Sequence, residues 1–274
     1  MDWICSLVRD QADVCLLARR FAVYAQEQGI VYAEVIVNPS HWKNIPMEVL
    51  LSGVLEGFEE AGRDGLPDCR LLVSLRRDQS DDSARRTVDW VLAHRHPRLL
   101  GLSMDGDERL AQDSNRRLGP LLWQARDAGL GVTIHAGESS GPEGVAAALD
   151  QAGACRIDHG VRAVEDPELL ERLRREQITL NVCLTSNVVG GLYTVQTHPL
   201  KQLYDSGIPV TLSTDDPKLL DVTLCQELAN AAALYGWTEG DILRLQEHAV
   251  AAAFCTIEEK KHLFKMLQAG STAQ

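Results

Sequence analysis

Several short stretches of this 274-residue chain carry side chains of the kind that bind metals or move protons. His135 directly follows Val132-Thr133-Ile134, and Glu138 stands three residues later across Ala136-Gly137. A small turn of that kind aims both side chains at one cavity, where they could act as a metal ligand or an acid/base group. Alone, a histidine there would be a hydrogen-bonded structural residue. Asp158-His159-Gly160 supplies a second histidine, and its glycine lets a substrate approach the backbone closely. Asp215 and Asp216 are adjacent, just before Pro217, so one carboxylate can point inward while the other faces the loop side. A helix cap before Pro217 would need only one of them. Gly106-Asp107-Glu108 and Thr185-Ser186-Asn187 are the remaining polar clusters of this type.

Each cluster closes an apolar, β-branched run, and these runs define the elements that must position the chemistry. They are 31–37, 70–76, 99–104, 131–135, 156–159, 178–183 and 208–213. Most are apolar along their length, as parallel strands buried on both faces should be. Segments with apolar residues at helical spacing lie between them, such as Met47, Leu50, Leu51, Val54, Leu55 and Phe58. An opening helix is expected after a cap at Asp10, with Val14, Leu17, Phe21 and Tyr24 on one face.

The repeat is therefore βα throughout, with no linker or composition shift to divide residues 1–274, which predicts a single domain. Neither G-x-G-x-x-G nor a P-loop follows any strand. A (β/α)8 TIM-type barrel that lacks its first strand fits better than an open doubly wound sheet. In such barrels the reactive groups gather at the C-terminal ends of the strands. His94-Arg95-His96 falls at the opposite end, just before the 99–104 run, and reads as a solvated helix end. His41 is on the reactive rim.

Composition narrows the function classes. Twenty-seven Lys and Arg against 39 Asp and Glu give a net charge of −12 with no basic cluster, which argues against nucleic acid as a partner. The longest uncharged stretch, 178–200, contains Asn, Ser, Thr, Gln and two Gly, so no membrane span is expected. The apolar stretch before Arg9 is too short for a signal peptide. Seven Cys without a C-x-x-C point to reduced thiols and a cytoplasmic location.

The stretches HAGESSGPE from His135, RIDHGVRAVEDP from Arg156, LNVCLTSN from Leu180, HPLKQL from His198 and VTLSTDDP from Val210 occur in this order. Together they resemble the adenosine deaminase family of metal-dependent amidohydrolases, from about residue 12 to about residue 234. The resemblance implies a zinc aminohydrolase whose partner is a small-molecule purine nucleoside. His135 and Asp215 would be zinc ligands, and zinc lowers the pKa of its water from about 15.7 to about 7. His159 would orient and deprotonate that water, and Glu138 would donate a proton to purine N1. Asp216 would bond N7, and the backbone N–H of Gly106 would reach N3.

The implied reaction is deamination of adenosine, and of 2′-deoxyadenosine, to inosine and ammonia in purine salvage. Relatives with similar motifs handle adenine or 6-amino-6-deoxyfutalosine. The Ser-Ser-Gly-Pro-Glu stretch and Ser186-Asn187-Val188 look most like adenosine deaminases, which puts adenosine first. The family also places an H-x-H pair of ligands on its first strand, and this sequence has no such pair before Val31. A catalytically silent chain acting only in binding is therefore a second reading. Ser103 stands where relatives usually carry Asp.

Overall fold

The computed structural model describes residues 2–271, which pack as two compact units. The first comprises residues up to 107 together with 116–132, and the second comprises 108–115 and 133 onward. Short helix α1 (Asp2–Cys5) and helix α2 (Gln11–Glu27) open the first unit. They are followed by β1 (Tyr32–Val37), α3 (Met47–Arg63), β2 (Asp68–Arg76), α4 (Asp81–Ala93) and β3 (Leu99–Asp105). Strands β1, β2 and β3 pair in parallel in chain order. Helix α5 (Ala111–Asp127) leads on to β4 (Gly131–Ala136).

Asp10 caps α2 as expected, its carboxylate accepting the Asp13 N–H at 3.0 Å. The buried face of α2 differs from the expected one. Val14, Ala18, Ala22 and Ala25 are buried, whereas Leu17 is exposed. Small residues line this face because α3 lies very close: a Cβ added at Gly57 would come within 2.5 Å of the Cys15 carbonyl oxygen.

The second unit continues with α6 (Pro142–Ala152), β5 (Arg156–His159), α7 (Pro167–Glu176), β6 (Thr179–Val182), α8 (Leu184–Val189) and α9 (Leu200–Asp205). It closes with β7 (Val210–Leu212), α10 (Leu224–Tyr235), α11 (Glu239–Ala252) and α12 (Ile257–Ser271). Strands β4 to β7 are parallel neighbours in chain order. The last two strands are shorter than the apolar runs that contain them. Ile178 donates its N–H to Leu173 in the turn that ends α7, and Pro209 has no N–H to give to a ladder.

The seven strands among the described residues match the seven expected runs. His94 and His96 behave as a helix end. The His94 ring stacks on Trp90 at 4.0 Å, and His96 Nδ1 accepts the Arg98 N–H at 3.1 Å. No helix among the described residues is long and apolar enough to cross a membrane.

Candidate metal and catalytic site

Within the second unit, the C-terminal ends of β4 and β5 and the residues after β7 bring His135, His159 and Asp215 together. One ligand atom from each lies within 4.8 Å of the others. Two imidazoles and a carboxylate are a donor set that suits zinc. The residues present therefore fit a divalent metal.

A ladder of polar side chains supports His135 from below. His135, Asp158, Asn181 and Thr211 occupy matched positions on β4, β5, β6 and β7. The Thr211 hydroxyl donates to Asn181 Oδ1 at 2.8 Å, and the Asn181 amide donates to Asp158 Oδ1 at 2.8 Å. Thr133 donates to the same Asp158 oxygen at 2.7 Å. Asp158 Oδ2 lies 3.2 Å from His135 Nδ1, directly against the imidazole. Burial pushes the Asp158 carboxyl upward, but the His135 ring, Arg156 and the Asn181 amide more than offset this and hold it below the usual carboxylate range. A carboxylate behind a ligating histidine fixes the ring and raises its basicity.

His159 ends β5 with φ +66°, and Asp215 sits beyond β7 with φ +57°. Left-handed backbone at residues other than glycine costs roughly 1–3 kcal/mol each and collects at functional sites. Both of these residues belong to the candidate cluster. Asp215 is exposed, and its Oδ2 accepts the Ser186 hydroxyl at 2.7 Å. His159 is buried, with Nδ1 3.1 Å from the Asn187 amide nitrogen. Its Nε2 is 3.8 Å from Glu138 Oε2, within charge reach but beyond hydrogen-bond length.

Glu138 rides on a loop that is clamped from two sides. The buried Glu108 carboxylate accepts the backbone N–H groups of Glu138, Ser139 and Ser140 at 3.3, 3.2 and 2.6 Å. Gly137 turns the chain at φ +68°, where a Cβ would meet Val145 Cγ2 at 2.5 Å. Behind α8, the buried Glu227 accepts both the N–H and the hydroxyl of Thr185, at 3.0 and 2.9 Å. Burial keeps the Glu227 carboxyl above its ordinary range despite those two bonds.

Of the expected site residues, Glu138, His135, His159 and Asp215 are thus neighbours. Asp216 follows Asp215 and is half-buried, its carbonyl accepting the Leu219 and Leu220 N–H groups. Gly106 belongs to the first unit, where it leaves β3 with φ +92°. Asp158, Asn181, Thr211, Glu108, Glu227 and His198 had no role assigned from the sequence. The signal for Asn181 and Thr211 was a polar residue inside an otherwise largely apolar run, and Asp158 stood directly before His159. Glu227 gave no comparable signal, since a glutamate in a helix is ordinarily solvated.

The adenosine deaminase family model matches residues 1–269. An adenine deaminase of Sinorhizobium medicae is 37% identical over 97% of this chain and 82% of its own length. The adenine deaminase of Rhizobium meliloti is 36% identical with the same coverage. Among solved structures, an adenine deaminase from Arthrobacter aurescens superposes with a TM-score of 0.90 at 25% identity, covering 97% of this chain and 82% of that one. An amidohydrolase from Burkholderia ambifaria with bound Zn gives 0.85 at 26% identity, over 98% and 80%. These likenesses fix the fold class as the α/β TIM-barrel type of the adenosine deaminases, with seven of its βα units recognisable. Shared motifs, a matched fold and a match to nearly the whole sequence therefore agree that the chain belongs to the adenosine deaminase family and is a purine aminohydrolase.

Proposed function

We propose that this protein is a zinc-dependent deaminase that converts adenine and water to hypoxanthine and ammonia, in the cytoplasm, where its seven cysteines stay reduced. The observation that carries the chemistry is the convergence of His135, His159 and Asp215 beside Glu138. The choice of adenine rests on the relatives at 34–37% identity, which are named adenine deaminases. Adenosine is the second reading, favoured by the Ser139-Ser140-Gly141-Pro142-Glu143 and Ser186-Asn187-Val188 stretches.

His135 and Asp215 would hold the zinc, with Asp158 fixing the His135 ring. Bound zinc makes hydroxide available at neutral pH. His159 orients the attacking oxygen toward purine C6. Glu138 delivers a proton to N1 as the C6–O bond forms, and Asp216 bonds N7. The Glu108 clamp keeps Glu138 in place while this happens, since general acid catalysis depends on hydrogen-bond reach.

The test is ammonia release from adenine and from adenosine by the zinc-loaded protein. It is assayed as the 274-residue chain and with an upstream strand bearing an H-x-H pair joined to Met1. Turnover of adenine faster than adenosine is the expected result. Faster turnover of adenosine would transfer the assignment to the nucleoside, and turnover of neither by either form would overturn the deaminase reading.

A further inference from the structure

A cavity of about 260 Å³ lies wholly within the first unit and shares no residue with the metal cluster. It is lined by the turn after β1, the loop after β2 and the first turns of α3 and α4. Its walls are held in place by hydrogen bonds. The Thr87 hydroxyl of α4 lies 3.2 Å from Met47 Sδ of α3, and the N–H and hydroxyl of Ser40 donate to Asn38 Oδ1 at 3.0 and 2.7 Å. Arg117 of α5 donates to the carbonyls of Arg77 and Gln79 at 2.9 and 3.4 Å, which fixes the loop after β2.

Three polar groups of this lining have bonding capacity left over. Gln79 Oε1 accepts the Arg76 N–H at 3.3 Å, and because a backbone nitrogen can only donate, the free end of the amide is its NH₂. That Nε2 is buried and has no acceptor among the described residues. Arg86 has no ion-pair or hydrogen-bond partner among the described residues, and neither has Glu48. Asp78 and Asp81 pair with Arg76 and Arg117, so they leave the Arg86 guanidinium alone.

A ligand that completes the cavity must offer acceptors to Gln79 and Arg86 and a positively charged donor to Glu48. A simple anion would leave Glu48 against like charge, and a simple cation would leave the buried amide without an acceptor. A molecule carrying both charges satisfies all three groups. We propose that this cavity binds a free α-amino acid, its carboxylate between Gln79 Nε2 and the Arg86 guanidinium and its ammonium group on Glu48. Pro39 and Met47 supply an apolar wall for a short side chain. Arg86 and Glu48 are exposed, so their attraction is modest and weakens with salt, and the buried amide sets the ligand's orientation.

This site goes beyond the proposed deamination, which uses none of these residues, and it is read without turnover or metal. The test is a titration of the ¹⁵N-labelled 274-residue chain with L-alanine, followed through the Gln79 side-chain NH₂ and the Arg86 Nε–H signals. Propionate lacks the ammonium group of alanine and ethylamine lacks its carboxylate, so each analogue removes one set of contacts. L-Alanine should shift both signals and saturate. Propionate should bind about threefold more weakly, as suits loss of an exposed ion pair, and ethylamine at least about tenfold more weakly.

Glu48→Gln should weaken L-alanine about threefold and leave propionate no weaker. Gln79→Glu keeps an acceptor for the Arg76 N–H but sets a charge against the ligand carboxylate, so it should weaken L-alanine at least about tenfold. Shifts that rise without saturating, or propionate binding as tightly as L-alanine, would overturn the proposal. Tighter binding of inorganic phosphate than of L-alanine would contradict it too, since a plain anion site would then explain the cavity.

Discussion

In the proposed reaction Asp158 acts on the His135 ring without entering the chemistry. It lies at the centre of the ladder from Thr211 through Asn181 to His135 and is 5% exposed, so its charge acts on the His135 ring with little screening. Loss of such a partner typically costs about 10–100-fold in metal affinity. Asp158→Asn should therefore bind zinc about 10–100-fold more weakly than the parent in a chelator competition, and unchanged affinity would remove Asp158 from the site. Glu138 should behave differently, because it is assigned a proton and no metal. Glu138→Gln should retain zinc and lose at least about a hundredfold in kcat, measured as ammonia release in a catalytically active form.

At this scale the sequence was informative where chemistry-bearing residues end a run. His135, Glu138, His159 and the Asp215-Asp216 pair were all legible for that reason. Asn181 and Thr211 were not, because a single polar residue inside an apolar run does not disclose which neighbour it will face. The strand register decides that, and register is a property of pairing between distant segments.

Among the elements, α8 does more than its six residues suggest. Thr185 is held by Glu227, Ser186 bonds Asp215, and Asn187 joins His159 to His198, so three consecutive residues tie three parts of the site together. The sequence marked this stretch as polar but not as a helix, since a segment this short has too little periodicity to read.

The loop after β4 is equally constrained. Gly137→Ala places a Cβ 2.5 Å from Val145 Cγ2 at φ +68°, combining a clash with backbone strain. It should destabilise the protein by about 1–3 kcal/mol or more in urea unfolding, and an unaffected midpoint would show that the loop relaxes freely.

His198 gives the element scale a pH signature. Its folded pKa of about 4 lies below the ordinary 6.5, so the unfolded chain binds more protons between those values. Its contribution to stability is therefore complete above about pH 6.5 and is lost as pH falls toward 4. From pH 7 to pH 5 the loss amounts to about 2 kcal/mol. Urea unfolding of the parent should show this fall, and the fall should be shallower by about that amount in His198→Gln. Parallel pH profiles for the two proteins would contradict the buried neutral state of His198.

On the scale of the molecule, the alternation of strands and helices was legible because both periods are strong. Strands buried on both faces read as continuous apolar runs, and helices show a repeating stripe. The α2 face was misread because Ala18, Ala22 and Ala25 are small and weakly apolar, so the larger Leu17 drew the prediction toward solvent. Packing selected the small residues, since only they allow α2 to approach the Gly53 and Gly57 face of α3.

The family motif also carries an H-x-H pair, and the most direct test of the metal site supplies it. With a strand bearing that pair joined to Met1 and zinc supplied, the protein should convert adenine to hypoxanthine, and Asp215→Ala in the same background should not. The direct measurement is hypoxanthine formation from adenine by these two proteins side by side. Product from the parent alone is the predicted result. No product from the parent, or equal product from both, would contradict the assignment of purine deamination to this metal site.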